Sequence, residues 1–183
     1  MDHYQSEATL QDGLEHIRQS PKDGGVLAMI VIKPVSDQRI VPSEADVSAG
    51  RGVHGDHWEK GCWLSLPDGS PHPDVQVTLM NSRCLALVAG EKSRWALAGD
   101  NLVVDLDLSD ENLPVGQQIA VGSAILEITG LPHTGCGAFL TRYGRDAVLF
   151  VNSPIGKCLH LRGIYAKVIQ DGSVRVGDTV RKI

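Results

Sequence analysis

Chemistry in this sequence centres on Cys136, in the segment LPHTGCGAF at residues 131–139. The apolar, β-branched run before it, at 124–129, predicts a strand, and residues 138–143 after it predict a short helix. With Thr134 as the N-cap, Cys136 falls in the first helical turn, where free N–H groups and the helix dipole favour a thiolate. Glycines on both sides leave the sulfur uncovered. We therefore expect a reactive cysteine, the alternative being a small buried cysteine in a turn.

Histidines offer two further kinds of chemistry. His133 precedes Cys136 by three residues, so it can act on the thiol as an acid or base; a loop histidine without a role is the alternative. Zinc-type ligands occur together in a second stretch: His54, His57, Cys62 and His72. Tetrahedral zinc sites usually show paired short spacings, which this stretch lacks, so we expect no zinc site there.

The overall composition is that of an ordinary globular protein. The chain has 183 residues, of which 42% are apolar and 21% charged, which is enough for one domain with a full core. A glycine pair at 24–25 separates an expected helical arm, residues 1–25, from a β body, residues 26–183. The net charge of −5 argues against binding nucleic acid or an acidic membrane through general charge.

Cysteine spacing and the amino terminus bear on the compartment. The four cysteines show no C-x-x-C spacing, which in a chain of this size fits a reducing compartment better than a disulfide framework. The first residues lack the basic and apolar regions of a signal peptide, and the longest apolar run, 26–32, is too short to span a bilayer. We therefore expect a cytoplasmic protein that does not bind membranes.

Short apolar or alternating runs separated by turns predict many strands and few helices. The predicted strands cover residues 26–33, 38–41, 75–80, 102–108, 117–121, 124–129, 163–169, 173–176 and 179–182. The predicted helices cover residues 6–19, 81–89, 138–143 and 145–151. This pattern indicates a mainly β fold with short helices packed on a β-barrel or sandwich.

Four motifs in order resemble a MOSC domain. They are GVHGD at 52–56, GDNL at 99–102, the cysteine after Pro132, and GSVRVGD at 172–178. MOSC domains form the C-terminal part of molybdenum cofactor sulfurases and also occur as small stand-alone bacterial proteins. Family members more often carry the cysteine directly after proline, whereas three residues intervene here, as in some stand-alone members. The resemblance covers residues 26–183 and implies a closed β-barrel of the MOSC, or pyruvate-kinase, barrel type with a pocket at Cys136.

The resemblance implies a sulfur carrier or sulfurtransferase that binds the molybdenum–pterin cofactor. Cys136 would accept sulfur as a persulfide from a cysteine desulfurase, which carries its own pyridoxal phosphate, and pass it to the cofactor of a molybdoenzyme. One alternative is a molybdenum-dependent reductase of N-hydroxylated compounds, with Cys136 as a metal ligand and electrons from an electron-transfer partner. The other is a non-catalytic module that binds the cofactor.

The resemblance also nominates residues around the cysteine. Both the pterin phosphate and a persulfide are anions, which guanidinium groups suit, although surface arginines often only form salt bridges. The expected cationic partners are Arg83, Arg142 and Arg162. Four further residues in the family motifs are expected to face the pocket: His54, Asp56, Asp100 and Asn101. The other three cysteines are expected to be structural, with Cys84 and Cys158 in the core and Cys62 the least certain.

Overall fold

The structure is a computed structural model that describes residues 4–183; residues 1–3 of the expected arm lie outside this part. Its centre is a closed barrel of seven strands: β1 (Gly25–Ile30), β4 (Val77–Asn81), β5 (Leu102–Asp105), β6 (Gln118–Val121), β7 (Ala124–Ile128), β8 (Ile164–Gln170) and β10 (Thr179–Lys182). Around the barrel the order is β1-β10-β6-β7-β8-β4-β5, and β5 pairs with β1 to close it. The pair β4–β5 is parallel, and the other neighbouring pairs are antiparallel. The predicted closed barrel is confirmed.

A small second sheet lies beside the barrel. It has three strands in the order β3-β2-β9: β2 (Glu44–Ser48), β3 (Gly52–Val53) and β9 (Gly172–Arg175). The strand β9 was expected from the sequence, but β2 and β3 were not. The strand β2 is short and mostly polar, and its partner β9 lies more than a hundred residues away, so local periodicity gives no signal for it.

Within residues 4–183, seven short α-helices pack on the barrel: α1 (Glu7–Asp12), α2 (Leu14–Arg18), α3 (Trp58–Gly61), α4 (Ser82–Ala89), α5 (Gly137–Tyr143), α6 (Arg145–Asn152) and α7 (Pro154–Cys158). Two 3-10 helices cover Pro73–Val75 and Lys92–Ala98. The single helix predicted for residues 6–19 is wrong: Gly13 separates α1 from α2, and a Cβ atom at this position would lie 2.5 Å from Leu87 of α4. Across residues 4–183, no helix has both the length and the apolar character needed to cross a bilayer.

The barrel wall separates two hydrophobic cores. On β4, Leu79 faces the barrel interior, whereas Met80 faces the layer of helices. Burial on both faces explains why such strands appear in the sequence as nearly continuous apolar runs. The outer core also contains Phe139 and Tyr143, both essentially inaccessible to solvent. These two rings anchor α5 against the barrel and thereby fix the position of Cys136 at its start.

Candidate functional site

Cys136 lies on the wall of a pocket of about 310 Å³. Pockets of this size hold small molecules. Six residues nominated from the sequence line it: Asp56, Asp100, Asn101, His133, Cys136 and Arg162. The pocket wall also includes residues that the sequence did not nominate, among them Lys33, Trp58, Cys62, Trp63 and Tyr165. The structure therefore brings most of the predicted site to one place.

The N-cap of α5 lies two residues later than the sequence predicted. Cys136 itself is the N-cap of α5, with extended backbone (φ −113°, ψ −178°), so Thr134 is not the cap. Asn152 causes the shift: its side chain accepts a hydrogen bond from the Gly135 N–H (2.9 Å) and donates one to the Gly135 carbonyl (3.1 Å). These bonds hold the preceding backbone outside the helix. The Cys136 thiol makes no capping hydrogen bond and is exposed to solvent.

The Arg162–Asp100 ion pair forms part of the pocket wall. Arg162 Nη1 donates to both carboxylate oxygens of Asp100, at 2.9 and 2.8 Å, and both side chains are almost completely buried. The guanidinium also lies 4.8 Å from the centre of the Phe139 ring. Burial raises the pKa of Asp100, while the charges of Arg162 and Lys33 oppose that rise. Because Arg162 is paired, it presents little net charge to the pocket.

A second buried network is built on Asp56. Its Oδ2 accepts hydrogen bonds from the Lys33 N–H (2.9 Å) and from Asn101 Nδ2 (2.9 Å), and it lies 3.1 Å from Lys33 Nζ. Asn101 Oδ1 in turn accepts from the Thr78 N–H and hydroxyl. Burial lowers the pKa of Lys33, and Asp56 counteracts this effect. Asp56 and Asn101 therefore join the GVHGD and GDNL segments, as well as lining the pocket.

His133 is mostly buried, with 11% of its side chain exposed. Its Nδ1 lies 3.6 Å from Asp100 Oδ1 and has no hydrogen-bond partner, and its ring packs on Tyr165 with centroids 4.5 Å apart. Burial, followed by the charges of Arg162 and Lys33, lowers the pKa of His133 well below its usual value. A lowered pKa makes this imidazole a weaker base, so His133 lines the pocket as a neutral hydrogen-bonding group.

A cationic cluster adjoins the pocket at Gly99. A Cβ atom on Gly99 would lie 3.5 Å from both Arg39 Nη2 and Lys33 Cδ, so both side chains pass close to this turn. Burial and the nearby charge of Arg142 lower the pKa of Arg39. Arg39 and Arg142 donate to main-chain carbonyls, and Arg39 Nε is buried without a partner. Arg142, nominated from the sequence, thus lies beside the pocket without lining it, and Arg39 was missed.

Two nominated residues lie elsewhere. Arg83 forms an ion pair with Asp105 (2.8 Å) and donates to main-chain carbonyls of α2 and its end, so it fastens the amino-terminal arm to the barrel. His54 Nε2 lies 2.9 Å from the Ser48 hydroxyl. Neither residue lines the Cys136 pocket. Arg83 is held by contacts distant in sequence, whereas His54 contacts Ser48 across the β2–β3 pair, so both side chains lie outside the predicted site.

The stretch weighed as a zinc site has other contacts. His57 Nδ1 lies 3.0 Å from the Lys33 carbonyl, and His72 Nδ1 accepts a hydrogen bond from the Asp74 N–H. Among the residues that the structure describes, no group of three or more histidine, cysteine or acidic side chains is arranged to hold a metal ion.

The other three cysteines differ in environment. Cys84 is buried as expected, and burial raises the pKa of its thiol to about 12. Cys158 was expected in the core but is exposed, because Gly156, against the Phe150 carbonyl, is the residue that α7 buries. Cys62 is half-buried and lines the pocket with Cys136. Solvent exposure alone therefore does not distinguish Cys136 from Cys158. The two differ because Cys136 lines this pocket and Cys158 does not.

The fold and the site together define a small β-barrel protein with a cysteine in its binding pocket. The MOSC domain matches residues 70–181, which is more than half of the chain, and the chain belongs to this family. MOSC domains relate to molybdenum cofactor biology in general. Within this match, the GDNL motif lines the pocket, whereas GSVRVGD forms β9 and the turn that leads to β10.

Solved structures show the same fold at low identity. The YuaD protein from Bacillus subtilis is 19% identical with a TM-score of 0.61, over 85% of this chain and 93% of that one. YiiM from Geobacillus stearothermophilus is 13% identical with a TM-score of 0.54, over 90% of this chain and 74% of that one. YiiM from Escherichia coli is 17% identical with a TM-score of 0.50, over 86% and 69%. No curated protein matches the chain.

Replacing Asp100 tests the buried ion pair. Asp100→Asn keeps the shape of the side chain but leaves the Arg162 charge without a counter-ion, so we expect the free energy of unfolding to fall by about 3–5 kcal/mol. The matched control is Glu44→Gln, which breaks the exposed pair with Arg175 (2.6 Å) and should change stability by less than about 1 kcal/mol. Urea denaturation measures both variants. Equal losses would show that Asp100 and Arg162 are not coupled as described.

His133 predicts a pH dependence of stability. Its pKa is lowered in the folded state, so below the ordinary value of 6.5 the unfolded chain binds more protons, and stability falls as the pH falls. Between about pH 7 and pH 5 the native protein should lose up to about 1.4 kcal/mol per pH unit relative to His133→Gln, which cannot titrate.

The control for this measurement is His16→Gln, at an exposed position on α2. It should keep the native slope of unfolding free energy against pH. A His133→Gln variant with that same slope would contradict a buried, neutral imidazole at this position.

Proposed function

We propose that this protein carries sulfur on Cys136 and delivers it to the molybdenum–pterin cofactor held in the adjoining pocket. One observation carries the proposal: the Cys136 thiol is open to solvent and also lines the pocket. A carrier must be loaded by a partner from outside and unloaded onto a bound ligand. A thiol with access to both sides meets that requirement, whereas a ligand to an enclosed metal needs only the pocket side.

The residues around the pocket fit the cofactor. Planar rings such as pterin pack well on aromatic side chains, and Trp58, Trp63 and Tyr165 supply an aromatic wall. Two guanidinium groups, of Arg39 and Arg142, lie close enough to affect each other and donate to carbonyls, which suits a phosphate as the missing counter-ion. We therefore assign the phosphate to this cluster and the ring system to the aromatic wall. When bound, the cofactor would supply the metal centre that receives the sulfur, and two electrons from an external thiol reductant would convert the outer persulfide sulfur to the sulfide level as the Cys136 thiol is restored.

Loading Cys136 is a balanced exchange without net oxidation. The Cys136 thiolate attacks the outer sulfur of a persulfide on a cysteine desulfurase, whose own pyridoxal phosphate generates that sulfur. A new S–S bond forms at Cys136, the S–S bond of the donor breaks, and the donor cysteine leaves as a thiolate. The proton of the Cys136 thiol leaves to solvent, to which the sulfur is exposed, while the neutral His133 lines the same pocket.

A pair of matched cysteine variants tests the carrier role. Full-length protein is incubated with a cysteine desulfurase and cysteine, and persulfide is then located by mass spectrometry. Cys136→Ser should lose the label, because a hydroxyl cannot form a persulfide, while Cys158→Ser, the other exposed cysteine, should keep it.

Molybdenum content of the same samples separates the alternatives. Label on Cys136 in the native protein supports the carrier. A protein that is never labelled, yet retains molybdenum that Cys136→Ser loses, supports the reductase with Cys136 as a metal ligand. Equal labelling of the two cysteine variants would remove Cys136 from the mechanism.

Arginine variants test the phosphate position. Arg39→Gln and Arg142→Gln should each weaken binding of the isolated molybdenum–pterin cofactor about tenfold or more, because each removes a charge-assisted hydrogen bond to the phosphate. Arg175→Gln, at an exposed arginine paired with Glu44, is the control and should bind within about twofold of the parent. Retained molybdenum after gel filtration is the measurement. Parental affinity in both test variants would place the phosphate elsewhere.

A further inference from the structure

We infer a second ligand site, for a small oxyanion, in a cavity next to the Cys136 pocket. This cavity measures about 370 Å³ and shares His133 and Arg162 with the Cys136 pocket as a common wall. We call it the Lys157 cavity, after the lysine on its lining. Its other polar lining comes mainly from Asp110, Thr134 and His160, none of which the proposed sulfur transfer uses.

Lys157 supplies a positive charge at the cavity. It lies in the last turn of α7 and is exposed, and its position there is fixed because Ser153 caps the helix and Gly156 packs against the Phe150 carbonyl. Within residues 4–183, no carboxylate forms an ion pair with Lys157. Its ammonium group therefore has three donors available for an anion in the cavity.

His160 is held in place at the same cavity. Its Nε2 lies 2.8 Å from Asp110 Oδ1, and its backbone has φ +49°, a conformation that no other non-glycine residue in the described part of the chain adopts. Such strain persists where the surrounding structure imposes it. With Nε2–H donated to Asp110, the ring offers Nδ1 to a ligand, as an acceptor when neutral and as a donor when protonated. A partly protonated oxyanion such as phosphate can satisfy either form.

The shared wall contributes a hydrogen-bond donor rather than net charge. Arg162 Nη1 donates to both carboxylate oxygens of Asp100, whereas Arg162 Nε has no hydrogen-bond partner. The Thr134 hydroxyl, on the segment that leads to Cys136, adds a further donor. Donors thus outnumber acceptors on the lining, where the Asp110 carboxylate is already engaged by His160. This balance favours an oxyanion over a cation.

Titration with two probes at constant ionic strength tests the site. Inorganic phosphate and succinate are added separately to the full-length protein, with sodium chloride as the screening control. The backbone amide signals of residues 157–160 are followed by NMR. We expect saturable shifts with at least one probe: phosphate alone would identify a phosphate-type ligand, and succinate a carboxylate.

Variants then locate the anion. Lys157→Met and His160→Asn should each weaken the binding about tenfold, because each removes a charged or polar contact; asparagine tolerates positive φ, so the second variant keeps the backbone. Lys60→Met removes the same charge at an exposed position of α3 and should bind the anion like the parent.

Cys136→Ser should also bind like the parent, so failure of the sulfur-carrier proposal would leave this one standing. The inference is overturned if neither probe gives saturable shifts at residues 157–160. It is also overturned if Lys157→Met and Lys60→Met lose affinity equally, or if Cys136→Ser abolishes the binding, since the anion would then lie in the Cys136 pocket.

Discussion

The buried ion pair between Asp100 and Arg162 is the interaction on which the site depends most. Asp100 lies in the GDNL turn before β5, Arg162 lies just before β8, and the guanidinium packs on Phe139 of α5. Either charge alone would be very costly to bury, so each requires the other at this position. The pair therefore fixes three separate segments together, and it does so directly beside the thiol that α5 presents.

Charge is divided between the floor of the pocket and its edge. On the floor, Asp100 pairs with Arg162 and Asp56 with Lys33, so the buried charges largely cancel. At the edge, Arg39 and Arg142 lie near each other and are satisfied by carbonyl oxygens. An anionic ligand is therefore drawn to the edge, while the neutral floor leaves room for an uncharged ring. This division is what a ligand with a planar body and an anionic end requires.

The strands and the central cysteine could be predicted from the sequence, and the MOSC resemblance added the closed barrel and the pocket residues Asp56, Asp100 and Arg162. The remaining charged residues were placed wrongly or missed. Apolar periodicity and turn residues are local, so β4, β6, β7 and the capped helix α4 were found close to their observed limits. Arg83 was misplaced because its partner Asp105 is distant in sequence, and Arg39 was missed because nothing local marks a loop arginine as facing Arg142. Lys33 did carry a signal, since it ends a buried strand, where a charge needs a partner.

The three accessible or half-accessible cysteines show what makes Cys136 distinct. The sequence argument placed Cys136 inside the first turn of a helix. In the structure Cys136 is instead the N-cap, and α5 after it is only seven residues long. Cys158 is equally open to solvent but lies on a different cavity, and Cys62 shares the pocket but is half-buried. Cys136 alone among them is both open to solvent and on the wall that holds His133 and Arg162. Its distinction therefore comes from where Asn152 and Phe139 place the start of α5, which is a property of the whole fold.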